Sequence, residues 1–259
     1  MILTVTPEPD NLPPRVKIEV DSGSADALEN LRILRDGASI RQVPASGFAS
    51  VVAYDYELPR GVDVRYTATA TVDEDEDSAE ATTRVDSVDG WMIHPRYPEL
   101  SVAVHRFGEP VWIQSFGRRS RSAQAMQHAI LGSSMPVTTT GGPRRADART
   151  MQIVSSTDDA AQSLENLFLD ETPVLFRFPP DWEVDFTEGF YAVGDLDDDR
   201  PSGIDPTTVW TVPLQLVRAP ASTVVAEWSW ADLIAEYPTW QDVLDAFPTW
   251  YAVLTNQPE

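Results

Sequence analysis

The sequence predicts a mainly β protein with one packed helix: a β-sandwich, then an antiparallel α+β sandwich or barrel, then a C-terminal segment of short helices. Short runs of alternating apolar and polar residues, such as Val16-Lys17-Ile18-Glu19-Val20, recur between turn signals, which is the period-two pattern of half-buried strands. At 157–169 the period becomes helical. Thr157 stands at the cap, Asp158 and Asp159 sit at the positive end of the dipole, and Ala161, Leu164, Leu167 and Phe168 form a stripe facing a sheet. The last thirty residues repeat with a period of ten.

Residues 1–89 form the first predicted domain. Strands are expected at 16–20, 31–35 and 62–68, with Asp36-Gly37 as a tight hairpin turn and the acidic run 73–77 as a solvated loop between the last two strands. The stretch Leu58-Pro59-Arg60-Gly61-Val62-Asp63-Val64-Arg65-Tyr66-Thr67-Ala68-Thr69-Ala70 resembles the late strands of a fibronectin type III module. That resemblance implies a corner role for Tyr66, its hydroxyl bonding to upstream backbone. Asp89-Gly90 closes the module.

Residues 90–220 form the second predicted domain, opened by Trp91-Met92-Ile93. Strands are expected at 101–107 and 110–116, a short helix at 122–131, and a long Thr, Gly and Arg-rich loop at 135–149. A strand at 150–155, the helix at 157–169 and a strand at 173–178 follow, then strands at 189–196 and 208–218 separated by an acidic loop. Pro220 marks the exit to residues 221–259. There Trp230, Trp240 and Trp250 each open a decad, and the first two decads carry apolar residues at i, i+3, i+4 and i+7 and end in Pro238 and Pro248. Helices this short are marginal alone, so the Trp stripes are expected to dock on the protein body or on another chain.

At 259 residues and 42% hydrophobic content, with eight Trp, nine Phe and seven Tyr, the chain has material for two cores. Its net charge of −22 is unevenly spread. Residues 1–89 hold eight Arg and Lys against eighteen Asp and Glu, 90–150 hold eight against three, and 151–259 hold three against twenty. A chain this acidic is not expected to track along nucleic acid or an anionic membrane. It contains no Cys, which excludes disulfides and thiolate metal sites. Neither a secretory leader nor an apolar run long enough for a membrane span is visible, so the expectation is a soluble chain with no membrane insertion.

No constellation points to a catalytic, cofactor or metal site. Asp195, Asp197 and Asp199 have the first spacings of a calcium loop, but Arg200 replaces its Gly and Pro206 its Glu. His94, His105 and His128 share no ligand spacing, and no nucleophile elbow or phosphate loop is present. Among the many acids, Asp181 and Glu183 stand out only by flanking Trp182. The stronger signal is basic: Arg118, Arg119 and Arg121 follow one predicted strand, and Arg144, Arg145 and Arg149 precede another. A solvated surface is one reading. The other is an assembly interface at which the basic middle of one subunit meets the acidic C-terminal region of a neighbour, head to tail, in a closed ring.

The segment Arg144-Arg145-Ala146-Asp147-Ala148-Arg149-Thr150-Met151-Gln152-Ile153-Val154, the helix after it, Thr172-Pro173-Val174-Leu175-Phe176-Arg177, Tyr191-Ala192-Val193-Gly194-Asp195 and Trp210-Thr211-Val212-Pro213-Leu214 resemble minor tail proteins of long-tailed bacteriophages of actinobacteria. The Trp-Pro-Thr decads are similar to that family's endings. The resemblance implies a structural, non-enzymatic subunit of the tail tip or baseplate, related to distal tail proteins, made in the host cytoplasm and carried in the virion. Its implied partners are the tail tube, tip or hub subunits and further copies of itself in a ring. The fibronectin-like module becomes a peripheral decoration; in the distal tail family it follows the ring-forming core, whereas here it precedes it. A glycan-binding module contacting the host envelope and an envelope-degrading enzyme are the alternatives. Coplanar exposed aromatics would favour the first and a cleft with two facing carboxylates the second.

Overall fold

The computed structural model describes residues 1–40, 48–73, 75–106, 108, 110–120, 125–128, 137–140, 148–169, 171–201, 205–220 and 243, with backbone alone at 125–128 and 137–140. The protein is mainly β with a single α-helix among these residues.

Seven strands build the first body: β1 (Ile2–Glu8), β2 (Arg15–Asp21), β3 (Glu29–Arg35), β4 (Ala38–Ser39), β5 (Ser50–Asp55), β6 (Asp63–Val72) and β7 (Asp75–Arg84). They form one sheet in the order β1-β2-β5 and another in the order β4-β3-β6-β7, every pair antiparallel. The alternation expected from sequence is what packs the two sheets: Val16, Ile18 and Val20 of β2 and Val64, Tyr66, Ala68 and Ala70 of β6 enter one core with Leu28, Ile33 and Leu58. At the β3–β4 turn Asp36 (φ 47°) and Gly37 (φ 83°) are both left-handed, the twist that suits a two-residue hairpin.

Three details differ from the sequence reading. β1 was not anticipated, because Pro7 and the prolines and acids that follow it blur its pattern; it pairs along its whole length with β2, and as an edge strand it tolerates the proline. The acidic run is not a loop. β6 and β7 stay paired up to Val72 and Asp75, with Asp73 left-handed (φ 50°), and Asp75, Glu76 and Asp77 belong to an edge strand with no buried residue. Ladder bonds outweigh the low strand propensity of acids there, and charge on an edge discourages edge-to-edge pairing. Tyr66, finally, bonds to a side chain rather than to backbone: its hydroxyl donates to the Asp55 carboxylate at 2.8 Å.

The second body begins at Gly90. Its elements are β8 (Gly90–Ile93), β9 (Val102–Val104), β10 (Val111–Phe116), β11 (Ala125–His128), β12 (Val137–Thr140), β13 (Ala148–Ser155), α1 (Asp158–Phe168), β14 (Val174–Arg177), β15 (Gly189–Val193), β16 (Asp197–Asp199) and β17 (Thr208–Val217). The main sheet runs β10-β13-β17-β15-β14-β8-β9, with β16 also paired to β17. A parallel bridge between His105 and Trp112, with His105 N–H donating to the Val111 carbonyl at 2.8 Å, joins the two ends of that path, so the sheet curls into a barrel. The Thr157 hydroxyl accepts from Ala160 N–H as the N-cap of α1, and Ala160, Ala161, Leu164 and Leu167 pack against β9 and β13. Their cluster includes Met92, Met151, Ile153, Phe176, Tyr191, Trp210 and Val212, with Phe168 at its margin.

The helix expected at 122–131 is overturned: β11 is a strand, paired with β12 from Ala125↔Thr140 to His128↔Val137. That hairpin also replaces part of the loop expected at 135–149. The β-branched run Val137-Thr138-Thr139-Thr140 favours a strand, and ladder bonds to it decide the state of the ambiguous segment opposite. Likewise Asp197–Asp199, expected in a loop, is a short exposed strand on β17. Of the decads only Val243 is described, helical and buried; Trp230, Trp240 and Trp250 lie outside the described residues.

Candidate functional site

Two regions concentrate polar side chains that packing alone does not explain: the junction between sandwich and barrel, and a basic cleft on the barrel.

The junction is centred on Asp55, the last residue of β5 and only 4% exposed. Its carboxylate accepts from Arg35 Nη1 at 2.8 Å on both oxygens, from the Tyr66 hydroxyl at 2.8 Å and from Glu57 N–H at 2.8 Å. Burial works against the Arg35 charge, but attraction and hydrogen bonding to Asp55 outweigh it and raise its pKa. Burial, then the neighbouring Asp55 charge, pushes the Tyr66 phenol far above its ordinary value. From the barrel side, Arg177 at the end of β14 donates through Nε and Nη2 to the Glu57 carbonyl and through Nη1 to Glu188, whose other oxygen accepts Phe178 N–H. The Trp182 indole donates to the Val88 carbonyl at 3.2 Å, and Asp89 meets His105 at 2.7 Å.

Apolar contact completes the joint. Trp91, Ile93, Leu175 and Phe190, on the outer face of the barrel sheet, pack with Tyr56 of the sandwich. Gly61 is left-handed (φ 67°) and so close to Pro180 that an added Cβ would stand 2.8 Å from the ring. The sandwich is therefore an integral, bolted part of the body and not a loosely attached decoration. Arg60, 2% exposed, has one long bond to the Tyr56 carbonyl at 3.4 Å, and its Nε and Nη1 find no partner among the described residues. Burial, then repulsion from Arg177, lowers its pKa to about 10.

The basic cleft, of about 590 Å³, lies over adjacent strands β13, β17 and β15. Small residues, Ala148, Ala192, Gly194 and Pro213, form much of its floor; Arg118, Ser120, Thr150 and Gln215 add polar groups, and none of the described residues that line it is an acid. Of the Arg residues singled out from sequence, Arg118 is exposed at this cleft and has no ion pair among the described residues. Arg119 pairs with Asp185 at 3.2 Å. Arg149 also lines the cleft but is held inward: it is 5% exposed, donates to the Asp185 carbonyl at 2.5 Å and lies 5.1 Å over the Phe186 ring. Arg121, Arg144 and Arg145 lie outside the described residues. Thus one loop, Asp185-Phe186, engages two of the expected interface arginines within the chain.

The other candidate chemistry is not brought together. Asp181 and Glu183 are exposed while Trp182 between them is buried, so the Trp gives neither acid an apolar setting. Asp195, Asp197 and Asp199 are exposed, and no group of His, Asp or Glu among the described residues has the makings of a metal site. Among the described residues no helix is long and apolar enough to cross a membrane. Tyr54 and Tyr56, an aromatic pair on the sandwich side of the junction, are tilted by 41° rather than coplanar, and Arg15 covers Tyr54 at 4.1 Å while bonding the Tyr56 hydroxyl.

Sequence reasoning missed the junction, although two signals existed. Arg177 interrupts the apolar run Val174-Leu175-Phe176-Arg177-Phe178, and Arg60 sits between Pro59 and Gly61 beside a core Leu. A charge inside an apolar run announces a buried partner. No protein-family model matches the chain, and no curated protein matches it. Function is therefore argued from its own residues.

Proposed function

We propose that the chain is a structural minor tail protein of a bacteriophage tail tip or baseplate, serving as a ring subunit or adaptor between tail tube and tip. The observation that carries this reading is the bolted junction: the half-buried Arg177 of the barrel donates twice to the Glu57 carbonyl of the sandwich, and Tyr56 packs among Trp91, Ile93, Leu175 and Phe190, which makes one stiff block. Stiffness of this kind suits a part that must hold neighbours at fixed geometry. The three-on-four strand order of the sandwich supports the fibronectin-like resemblance, and the curled sheet with one packed helix supports the distal-tail-like one. Neither alternative gains a specific observation: the Tyr54–Tyr56 pair is tilted and capped by Arg15, and the described residues that line the basic cleft include no carboxylate.

The test is location. Antibodies against the sandwich, applied to purified tailed particles from lysates of the source, should label the tail tip, and the chain should be present in fixed stoichiometry with other tail proteins. Its absence from particles, or release of reducing sugar from host envelope by the pure protein, would overturn the reading.

A further inference from the structure

The cleft over β13, β17 and β15 has the chemistry of an acceptor for carboxylates. Arg118 stands exposed at it without a carboxylate partner among the described residues, Ser120 and Thr150 flank it, and none of the described lining residues is an acid that would repel an anion. At about 590 Å³ it is in the usual size range for a ligand-sized recess, and its small-residue floor leaves room for a chain segment. The matching donor lies on the other body. β6 and β7 run ten paired residues away from the junction at Gly61 and Pro180 to the last pair, Val72 with Asp75, roughly 30 Å at about 3.3 Å per residue. At that far end Asp73, Asp75 and Glu76 are exposed. Because the junction is bolted, this tip projects away from the barrel of its own chain.

We propose that the cleft of one copy receives the acidic β6–β7 hairpin tip of a second copy. The proposal rests on the reading of the chain as a repeated structural subunit. Donor and acceptor are different surfaces, so the contact is heterologous: repetition closes a ring where the rotation permits and otherwise extends a filament. Electrostatic complementarity between them sets register and speeds encounter, and the contact weakens as salt rises.

The test uses the full chain in sedimentation analysis at low and high salt, with circular dichroism to verify folding. Wild-type protein should self-associate at low salt, and Arg118→Glu should weaken association about tenfold or more. Asp75→Arg with Glu76→Arg should weaken it comparably. The chain carrying all three changes should recover association to within about threefold of wild type, a rescue that misfolding does not imitate. Wild-type chain that stays monomeric up to about 100 µM, the range of weak contacts, or a triple variant without rescue, overturns the proposal. Labelling of particles reports on the tail reading independently, so failure of either is distinguishable from failure of the other.

Discussion

The Arg177 guanidinium crosses from barrel to sandwich and donates twice to the Glu57 carbonyl, at 2.9 Å from Nε and 2.7 Å from Nη2. It grips backbone rather than side chain, so the joint depends on where the chain runs at residue 57 and hardly on what residue stands there. The same guanidinium holds Glu188, and Glu188 caps Phe178 N–H, which ties the end of β14 to the loop before β15. One residue thus fixes both the barrel corner and the seat of the sandwich.

Arg177→Ala is therefore expected to cost about 2–4 kcal/mol in denaturant unfolding, since it removes two hydrogen bonds across the junction and the partner of a half-buried carboxylate. It should also open the 86–89 connection to limited proteolysis. Glu57→Gln, which keeps the carbonyl, should cost under about 1 kcal/mol.

Tyr66→Phe removes one donor from the buried Asp55 carboxylate and should cost about 1–2 kcal/mol. The pH dependence follows from the raised phenol pKa. Folding favours the neutral phenol, so this contribution is fully present below the ordinary Tyr value and is lost as pH rises beyond it. Chemical denaturation of wild type should show declining stability above about pH 10, and the phenylalanine variant should lack that share of the decline.

Arg60 carries the opposite sign. Its folded pKa, about 10, lies well below the ordinary arginine value, so burying the charged form is unfavourable, fully so below pH 10, with relief as pH climbs above it. Arg60→Met keeps the stem's volume and removes an incompletely bonded charge; Asp55 retains Arg35 and Glu188 retains Arg177. The variant should be more stable at pH 7 by about 1 kcal/mol, and the gain should shrink above pH 10. A loss of several kcal/mol at pH 7 would show that Arg60 helps hold the junction.

Local signals of this fold were legible where one element's residues decide its state. Thr157 with Asp158 and Asp159 announces α1, Asp36-Gly37 announces the β3–β4 turn, and the alternation of β2 and β6 announces the sandwich core. Legibility ended where a distant partner decides: β11 depends on β12, and Asp197–Asp199 becomes a strand only because β17 offers free ladder positions. The same limit applies to the sites. The cluster of Arg118, Arg119 and Arg149 is visible as charge along the chain, but the Asp185-Phe186 loop that engages Arg119 and Arg149 lies dozens of residues away, and of the three Arg118 alone has neither burial nor an ion pair among the described residues.

Gly61 offers a direct test of whether sandwich and barrel are bolted or merely tethered. Two left-handed glycines in the sandwich differ in surroundings: Gly37, φ 83°, has open space where a Cβ would stand, whereas Gly61, φ 67°, would bring that Cβ to 2.8 Å from Pro180 of the barrel. Gly37→Ala should cost only the backbone share, about 1–2 kcal/mol. Gly61→Ala meets the same backbone penalty and must also push Pro180 away, so about 2–4 kcal/mol is expected, with small-angle scattering showing a more extended particle. On a tethered sandwich the barrel would simply yield, the two substitutions would cost the same, and the particle dimensions would not change.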